Sequence, residues 1–340
     1  MRAAILRGPL DVVVDHVPDA GVQAPDDAVV RVVAAAICGT DLRGYCGQPG
    51  PVQGPRCGHE FVGVVEEIGA NVRNVRVGNL VVAPFVFADG TCAPCRSEMF
   101  GGCRNGGMFG VAGDGGQAEA VRVPFADATL VTVPMDERDE RLPAVLALAD
   151  VMSTGQHGII AAGTVPGSTV AVIGDGAVGL CAVLAARRAG AAQILFVGHH
   201  AARASMATGF GATEVLDGND ALTERVLDRT GGLGVDVVVD CVGEQDSMST
   251  AFVLCRDGGT VSIVGGPHGE LNLMTRFLRN VTVTGGLAPA RRYQPELLAD
   301  VLSGALDPSP IFDLEVSLAQ VDDGYQAMRA RTAVKVLVRP

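Results

Sequence analysis

The sequence predicts a two-domain α/β chain: a β-rich first part, then a doubly wound parallel sheet. Three observations carry this. Short valine runs such as Val29 to Val33, Phe61 to Val65 and Leu80 to Val82 are punctuated by Pro and Gly in the first part, the pattern of partly buried strands. After Asp150 the pattern changes to continuous apolar strands alternating with helical stretches. That alternation implies a parallel sheet covered on both faces. The chain has 340 residues, enough for two domains with real cores.

The second part reads in order. A strand at Thr169 to Ile173 precedes an Ala-rich helix to about Ala189. A strand at Gln193 to Val197 leads to a helix through Arg203 to Phe210. Further strands follow at Val235 to Val239, Gly259 to Val264 and Val281 to Val283. From about Leu287 the structure is mixed, and the strand Val334 to Val338 is expected to rejoin the first domain. The expected division is therefore residues 1–152 with 288–340 as one domain and 153–287 as the other. The apolar stretch from Leu142 to Val165 is broken by Asp150, Ser153, Gln156 and His157, so it reads as a buried helix and not a membrane span.

Composition narrows the function. The net charge of −12 argues against a nucleic-acid backbone as partner, because phosphate backbones call for a basic face. Nine cysteines form no regular disulfide framework, and the start of the chain has no cleavable signal pattern. The expectation is a cytoplasmic protein whose thiols are ligands or buried hydrophobes. Cys46, Cys57, Cys181, Cys241 and Cys255 lack ligand spacing and read as small hydrophobes. The run from Asp136 to Arg141 reads as a solvated loop, and Asp217 to Asp220 as a turn.

Two motifs carry chemistry by themselves. Asp89, Cys92, Cys95 and Cys103 stand at spacings that let one loop wrap a tetrahedral metal. Asp89 is the weak point, since a carboxylate is a harder ligand than a thiolate. Gly174-Asp-Gly176-Ala177-Val178-Gly179 follows a strand and opens a helix, the Rossmann dinucleotide fingerprint. Its glycines allow the tight turn, and the helix N-terminus offers N–H groups to a pyrophosphate. At the end of the next strand, NAD enzymes carry an acidic residue for the ribose. Here Gly198, His199, His200 and Arg203 occupy that region, which favours NADP(H) over NAD(H).

Further residues gain meaning together. Cys38-Gly39-Thr40-Asp41, Gly58-His59-Glu60 and Asp150 within the run to Thr154 are each weak signals alone. In this order with the cysteine loop and the fingerprint, they make the whole chain resemble the zinc-dependent alcohol dehydrogenases of the medium-chain dehydrogenase/reductase family. The resemblance implies a GroES-like β-rich catalytic domain beside the Rossmann domain. It implies a catalytic zinc on Cys38, His59 and Asp150, with Glu60 as an alternating ligand and Asp41 orienting His59. It implies a structural zinc on Asp89, Cys92, Cys95 and Cys103. Thr40 would take the substrate proton, Thr154 would lie at the cofactor, and a homodimer or homotetramer is expected. The implied reaction is reversible hydride transfer between NAD(P)+ and a secondary alcohol, polyol or aldehyde hydrate.

One departure stands out. Many relatives carry a histidine proton relay five residues after the zinc cysteine, whereas this chain has Arg43. Arginine stays protonated and cannot act as a base near neutral pH, so Arg43 is read as a cofactor pyrophosphate contact. Residues 44–55 and 287–293 would line the substrate pocket and carry no diagnostic residue for substrate. Two alternatives stay open: a zinc-independent quinone- or enoyl-reductase-like member, and a non-catalytic protein using the zinc loop to bind nucleic acid or partners.

Overall fold

The computed structural model describes residues 1–48 and 56–340. These form two compact units, Met1–Asp150 with Pro289–Pro340, and Val151–Ala288. The fold is α/β, with a β-rich unit and a parallel-sheet unit.

In the first unit the long strand Ala28–Ile37 is the hub. It pairs antiparallel with Glu60–Ile68 on one side, with Ala120–Val123 along its first half, and with the terminal strand Lys335–Arg339. The sheet continues through Leu80–Val82 to Val131–Thr132 at one end and Phe312–Ser317 at the other. Val30, Val32, Phe61, Val65, Val81 and Val336 bury together in one core. The terminal strand does return: Val336 lies opposite Ile37, Leu337 opposite Ala36 and Val338 opposite Ala35. Glu60 lies opposite Ala36 on the other side. Three adjacent strands thus bring Lys335, Ile37 and Glu60 side by side.

The stretch from Leu142 is not the single helix expected. It forms two helices, Leu142–Ala147 and Val151–Ala161. The break has a physical cause. The Leu148 carbonyl accepts from Gln294 Nε2 and the Ala149 carbonyl accepts from the Phe85 N–H. Both carbonyls are drawn out of the helical ladder, and the break projects Asp150. The expected loop at 136–141 is also more engaged than a solvated stretch: Glu137 pairs with Arg31, and Arg141 donates to the Leu302 carbonyl.

The second unit holds six parallel strands in the order Glu214–Leu216, Gln193–Val197, Thr169–Ile173, Val235–Asp240, Cys255–Ile263, Thr282–Gly285. The chain starts at a central strand and moves outward in both directions. The reversal next to Thr169–Ile173 is the topological switch point where such sheets bind ligands. The helices Ala177–Arg188 and Ala201–Phe210 follow their strands as expected. Val170, Ala171 and Val172 are fully buried, as a doubly covered sheet demands. Of the cysteines read as hydrophobes, Cys57, Cys181 and Cys255 are buried, whereas Cys46 and Cys241 are partly exposed.

The turn at the switch point fixes two glycines differently. A Cβ on Gly179 would run into the Gly174 carbonyl oxygen, whereas one on Gly176 would meet nothing within 4 Å. Gly179→Ala should therefore cost more than about 2 kcal/mol in urea unfolding, and Gly176→Ala less than about 0.5 kcal/mol. Equal effects of the two would show that the turn does not require close packing at Gly179.

Candidate active site

Cys38 precedes the short helix Gly39–Tyr45, and His59 immediately precedes the strand Glu60–Ile68. Gly58 sets the approach of His59 with φ +91°, and a Cβ there would strike Gln117. The helix break delivers Asp150. All four groups, Cys38, His59, Glu60 and Asp150, are buried, and their ligand atoms lie within 4.8 Å of one another. His59 Nε2 is 3.3 Å from Asp150 Oδ2, Cys38 Sγ is 3.6 Å from the same oxygen, and His59 Nε2 is 3.9 Å from Glu60 Oε1. The edges of a tetrahedron about one zinc are roughly 3.3–3.6 Å for these atom pairs, from the usual bond lengths; the two distances to Asp150 match and the one to Glu60 is longer. The donor set therefore fits a zinc ion.

The electrostatics agree. Burial pushes the Cys38 thiol up, and the Asp150 carboxylate adds to it, although His59 opposes. Burial also raises the Glu60 carboxyl against the pull of Lys335. Burial alone would lower the His59 imidazole, but Asp41 and Cys38 carry it well above its usual value. Acidic donors converge here in a dry site, and a divalent cation is the group that resolves them.

Supporting contacts surround the cluster. Asp41 Oδ1 lies 3.3 Å from His59 Nδ1. Its Oδ2 accepts from the Cys38 N–H at 2.9 Å and from Gln117 Nε2 at 3.3 Å. Tyr325 O–H in turn donates to Gln117 Oε1 at 2.9 Å. Lys335 Nζ donates to Glu60 Oε1 at 2.7 Å and to the Ile37 carbonyl at 3.3 Å, with both side chains essentially unexposed. Burial alone would lower the Lys335 pKa, but Glu60 raises it. Thr40 and Arg43 sit partly buried on the helix after Cys38. Of the expected pocket-lining stretch 44–55, residues 49–55 lie outside the described residues.

The cysteine loop also assembles. Cys92 Sγ is 3.4 Å from Cys95 Sγ and 3.8 Å from Cys103 Sγ, near the roughly 3.8 Å edge of a tetrahedral zinc thiolate. Asp89 is held beside them. Its Oδ1 accepts from the N–H groups of Thr91 and Cys92 at 2.8 and 3.0 Å, and its Oδ2 accepts from Asn105 at 2.7 Å. The Cys92 N–H is the largest cause that holds its carboxyl below the usual range, against a smaller push from burial. Oδ2 keeps a second lone pair, so Asp89 fits as a fourth ligand through that oxygen.

At the nucleotide fingerprint, Gly174 adopts φ +109°. The helix Ala177–Arg188 starts at Gly176 without a side-chain cap, which leaves its first N–H groups to an anion. The open space where a Gly176 Cβ would stand fits a pyrophosphate approaching the backbone. Gly198 is buried at the end of the second strand. The region beyond it is not free of carboxylate, as the local sequence led us to expect. Asp175, from inside the glycine turn, reaches across. Its Oδ2 accepts from the N–H groups of His199 and His200 and from His200 Nδ1 at 2.7 Å. Arg203 Nη1 lies 3.4 Å from Oδ1. His199 Nδ1 pairs with Asp217 at 2.9 Å. Burial would raise the Asp175 carboxyl, but these hydrogen bonds, led by His200, bring it to about 2.

Sequence reasoning missed Lys335, Gln117, Tyr325 and Asp175. For Lys335 a signal existed: it is the only lysine among 26 basic residues. For the others the contacts are long-range or cross the glycine turn, and nothing local marks them.

Comparison with known proteins now adds weight. The GroES-like domain of alcohol dehydrogenases matches residues 24–135, and the zinc-binding dehydrogenase domain matches residues 177–303. A Mycobacterium tuberculosis protein named "Probable zinc-binding alcohol dehydrogenase" is 38% identical, over 100% of this chain and 89% of its own length. The alcohol dehydrogenase TADH from Thermus sp. ATN1 superposes with a TM-score of 0.92 at 34% identity, covering 100% of this chain and 99% of that one. A structure bound to NADP from Sinorhizobium meliloti 1021, described as a zinc-binding dehydrogenase, gives 0.86 at 30% identity, covering 100% of this chain and 99% of that chain. The chain belongs to the zinc-dependent alcohol dehydrogenases of the medium-chain dehydrogenase/reductase family. As a member it is an oxidoreductase that uses zinc and a nicotinamide cofactor on a small-molecule alcohol or carbonyl compound. No helix among the described residues is long and apolar enough to cross a membrane.

The buried pair under the cluster makes a stability prediction. Lys335→Met leaves the Glu60 carboxylate buried and unpaired, and should cost about 3–5 kcal/mol in urea unfolding. Adding Glu60→Gln should recover most of that loss. If the double variant were as unstable as the single one, the cost would lie in packing and not in the unpaired charge.

Proposed function

We propose that Cys38, His59 and Asp150 hold a catalytic zinc, with Glu60 as an exchangeable partner, and that the enzyme moves hydride reversibly between NADP(H) and an alcohol or carbonyl substrate. The observation that carries this is the buried convergence of these donors at tetrahedral edge distances. A zinc there would polarise the substrate oxygen and favour its deprotonated form. A bound nicotinamide would supply the hydride acceptor for the carbinol carbon, and the hydride donor for the carbonyl in reverse.

The chain's own residues do the rest. Asp41 fixes the tautomer and direction of the His59 ring. Lys335 neutralises Glu60 and holds it away from His59, leaving a coordination position for substrate. The Thr40 hydroxyl takes the proton from the substrate hydroxyl. Arg43, permanently charged, would hold a cofactor phosphate, and a bound cofactor's ribose hydroxyl would offer the proton a path to water. The fingerprint backbone at Gly174, Gly176, Ala177, Val178 and Gly179 binds the pyrophosphate, and Thr154 lies at the cofactor. Gly198 leaves room for the ribose. Arg203 supplies the charge for a 2′-phosphate and His199 and His200 offer it ring N–H groups, at the expense of their contacts to Asp175 and Asp217. Asp89, Cys92, Cys95 and Cys103 hold a second zinc with every position filled by protein, which supports a structural and not a reactive role. The substrates are secondary alcohols, polyols or aldehyde hydrates.

Metal analysis should give two zinc ions per chain. His59→Ala should lose one of them and at least about 1,000-fold in kcat/KM, while Cys95→Ser should lose the other and mainly lower stability. One zinc per wild-type chain with full activity would sink the two-site assignment. Arg203→Ala should raise the KM for NADP+ about tenfold and leave NAD+ unchanged. Equal effects on both cofactors would refute the 2′-phosphate assignment.

The assembly is proposed as a homodimer or homotetramer. Thr282–Gly285 is an edge strand, and Leu273, Met274, Phe277 and Leu278 beside it are exposed at 65, 64, 76 and 69%. Such an apolar patch marks an interface. Phe277→Asp should shift the protein to a smaller species in analytical ultracentrifugation. An unchanged sedimentation coefficient would exclude this face.

A further inference from the structure

Sheets that bind NAD place an acidic side chain at the end of the second strand, where it accepts from the ribose 2′-hydroxyl. In this chain that position is Gly198, which offers no side chain. The space is nevertheless taken by a carboxylate. Ile173 pairs with Val197 in the parallel sheet, and the Gly174 N–H donates to the Val197 carbonyl at 3.1 Å. The glycine turn therefore lies directly beside the end of the second strand. A Cβ on Gly198 would stand 2.7 Å from the Cβ of Asp175 and 3.1 Å from its Oδ2. Asp175 thus fills, from the neighbouring strand, the place that the missing acid would occupy.

Its two oxygens are engaged unequally. Oδ2 accepts from the His199 N–H at 2.9 Å, the His200 N–H at 3.1 Å and His200 Nδ1 at 2.7 Å. Oδ1 takes the longer contact, 3.4 Å from Arg203 Nη1. A carboxylate oxygen so engaged keeps a lone pair for a hydroxyl. Close by, Asp217 Oδ1 lies 2.9 Å from His199 Nδ1. Two carboxylates therefore stand against one guanidinium, where a 2′-phosphate would add roughly two more negative charges. A site that recognised only the phosphate would show the opposite balance.

We infer that Asp175 is a specificity-determining residue for the cofactor: its carboxylate accepts from the 2′-hydroxyl of NAD(H) and repels the 2′-phosphate of NADP(H), which Arg203 attracts. This rests on the cofactor site proposed above and deepens it. Asp175 and Arg203 act in opposite directions on the same ribose position, so NAD(H) is accepted beside NADP(H), and Asp175 sets the ratio. A like charge placed in a site is a general means of rejecting a competing ligand.

The test uses the zinc-loaded enzyme and two probes, ADP-ribose and its 2′-phosphate. They differ only at the ribose position and carry no nicotinamide, so calorimetric titration reads binding apart from turnover. The wild type should bind the two within about tenfold of each other. Asp175→Asn keeps an oxygen for the N–H groups of His199 and His200 and drops the charge. It should tighten the 2′-phosphate probe about tenfold and leave ADP-ribose no tighter. The ratio of kcat/KM for NADP+ over NAD+ should rise by a similar factor. Asp175→Glu, which retains the charge, should keep the wild-type ratio within about threefold. An equal change of both probes in Asp175→Asn would make Asp175 a brace for the loop and overturn the inference. So would a wild type that favours the 2′-phosphate probe more than about 100-fold, a result that needs no variant to fold. If Arg203→Ala bound the 2′-phosphate probe as well as the wild type, the role proposed for Arg203 would fail. The probe ratio in Asp175→Asn would still uphold or overturn the role of Asp175.

Discussion

The contact between Lys335 and Glu60 ties the architecture of the first unit to its chemistry. Glu60 sits next to His59 at the head of one strand, and Lys335 begins the last strand of the chain. Between them runs the hub strand, whose Ile37 carbonyl takes a second hydrogen bond from the same ammonium. The terminal strand therefore does more than complete a sheet. It places a positive charge under a cluster of acidic donors, so that Glu60 is balanced without drawing on a metal. Burying these two ions is expensive, and their attraction offsets it only because the geometry is tight. The strand pairing supplies that geometry.

The two candidate metal sites are built by opposite strategies. The loop from Asp89 to Cys103 gathers its ligands within a short segment, and local turns orient them. The cluster at Cys38, His59, Glu60 and Asp150 draws on a helix start, a strand start and a helix break far apart in the chain. A local loop forms a closed site because the chain wraps the ion on all sides. The second cluster comes together only when those separate elements pack, which fits the division between a structural and a reactive zinc proposed above.

The same contrast explains what the sequence made legible. Strands such as Leu80–Val82, Thr169–Ile173 and Gln193–Val197 fell where the apolar runs put them, because burial on both faces leaves little choice of pattern. The residues that cluster as candidate ligands were legible through motif order. What escaped were features set by long-range pairing. The helix break at Leu148 to Asp150 depends on donors from Phe85 and Gln294, which no local pattern reveals. Gln117 and Tyr325 act through a side-chain relay across three elements. Asp175 was hidden by its own motif: as an unspecified position of a glycine fingerprint it invited no attention, yet it folds back onto His200 and Arg203.

The basic residues of this chain are otherwise all arginine. Lysine survives at the single place where one buried ammonium donates to both a strand carbonyl and a carboxylate. The folded protein consequently presents no ε-amine to solvent. Acylating reagents, glycating sugars, amine-directed cross-linkers and peptidases that cut after lysine would find no side-chain target until the terminal strand peels away from the hub. Modification at that one position would then act as a built-in clock for the opening of the first unit's sheet, read from a single peptide.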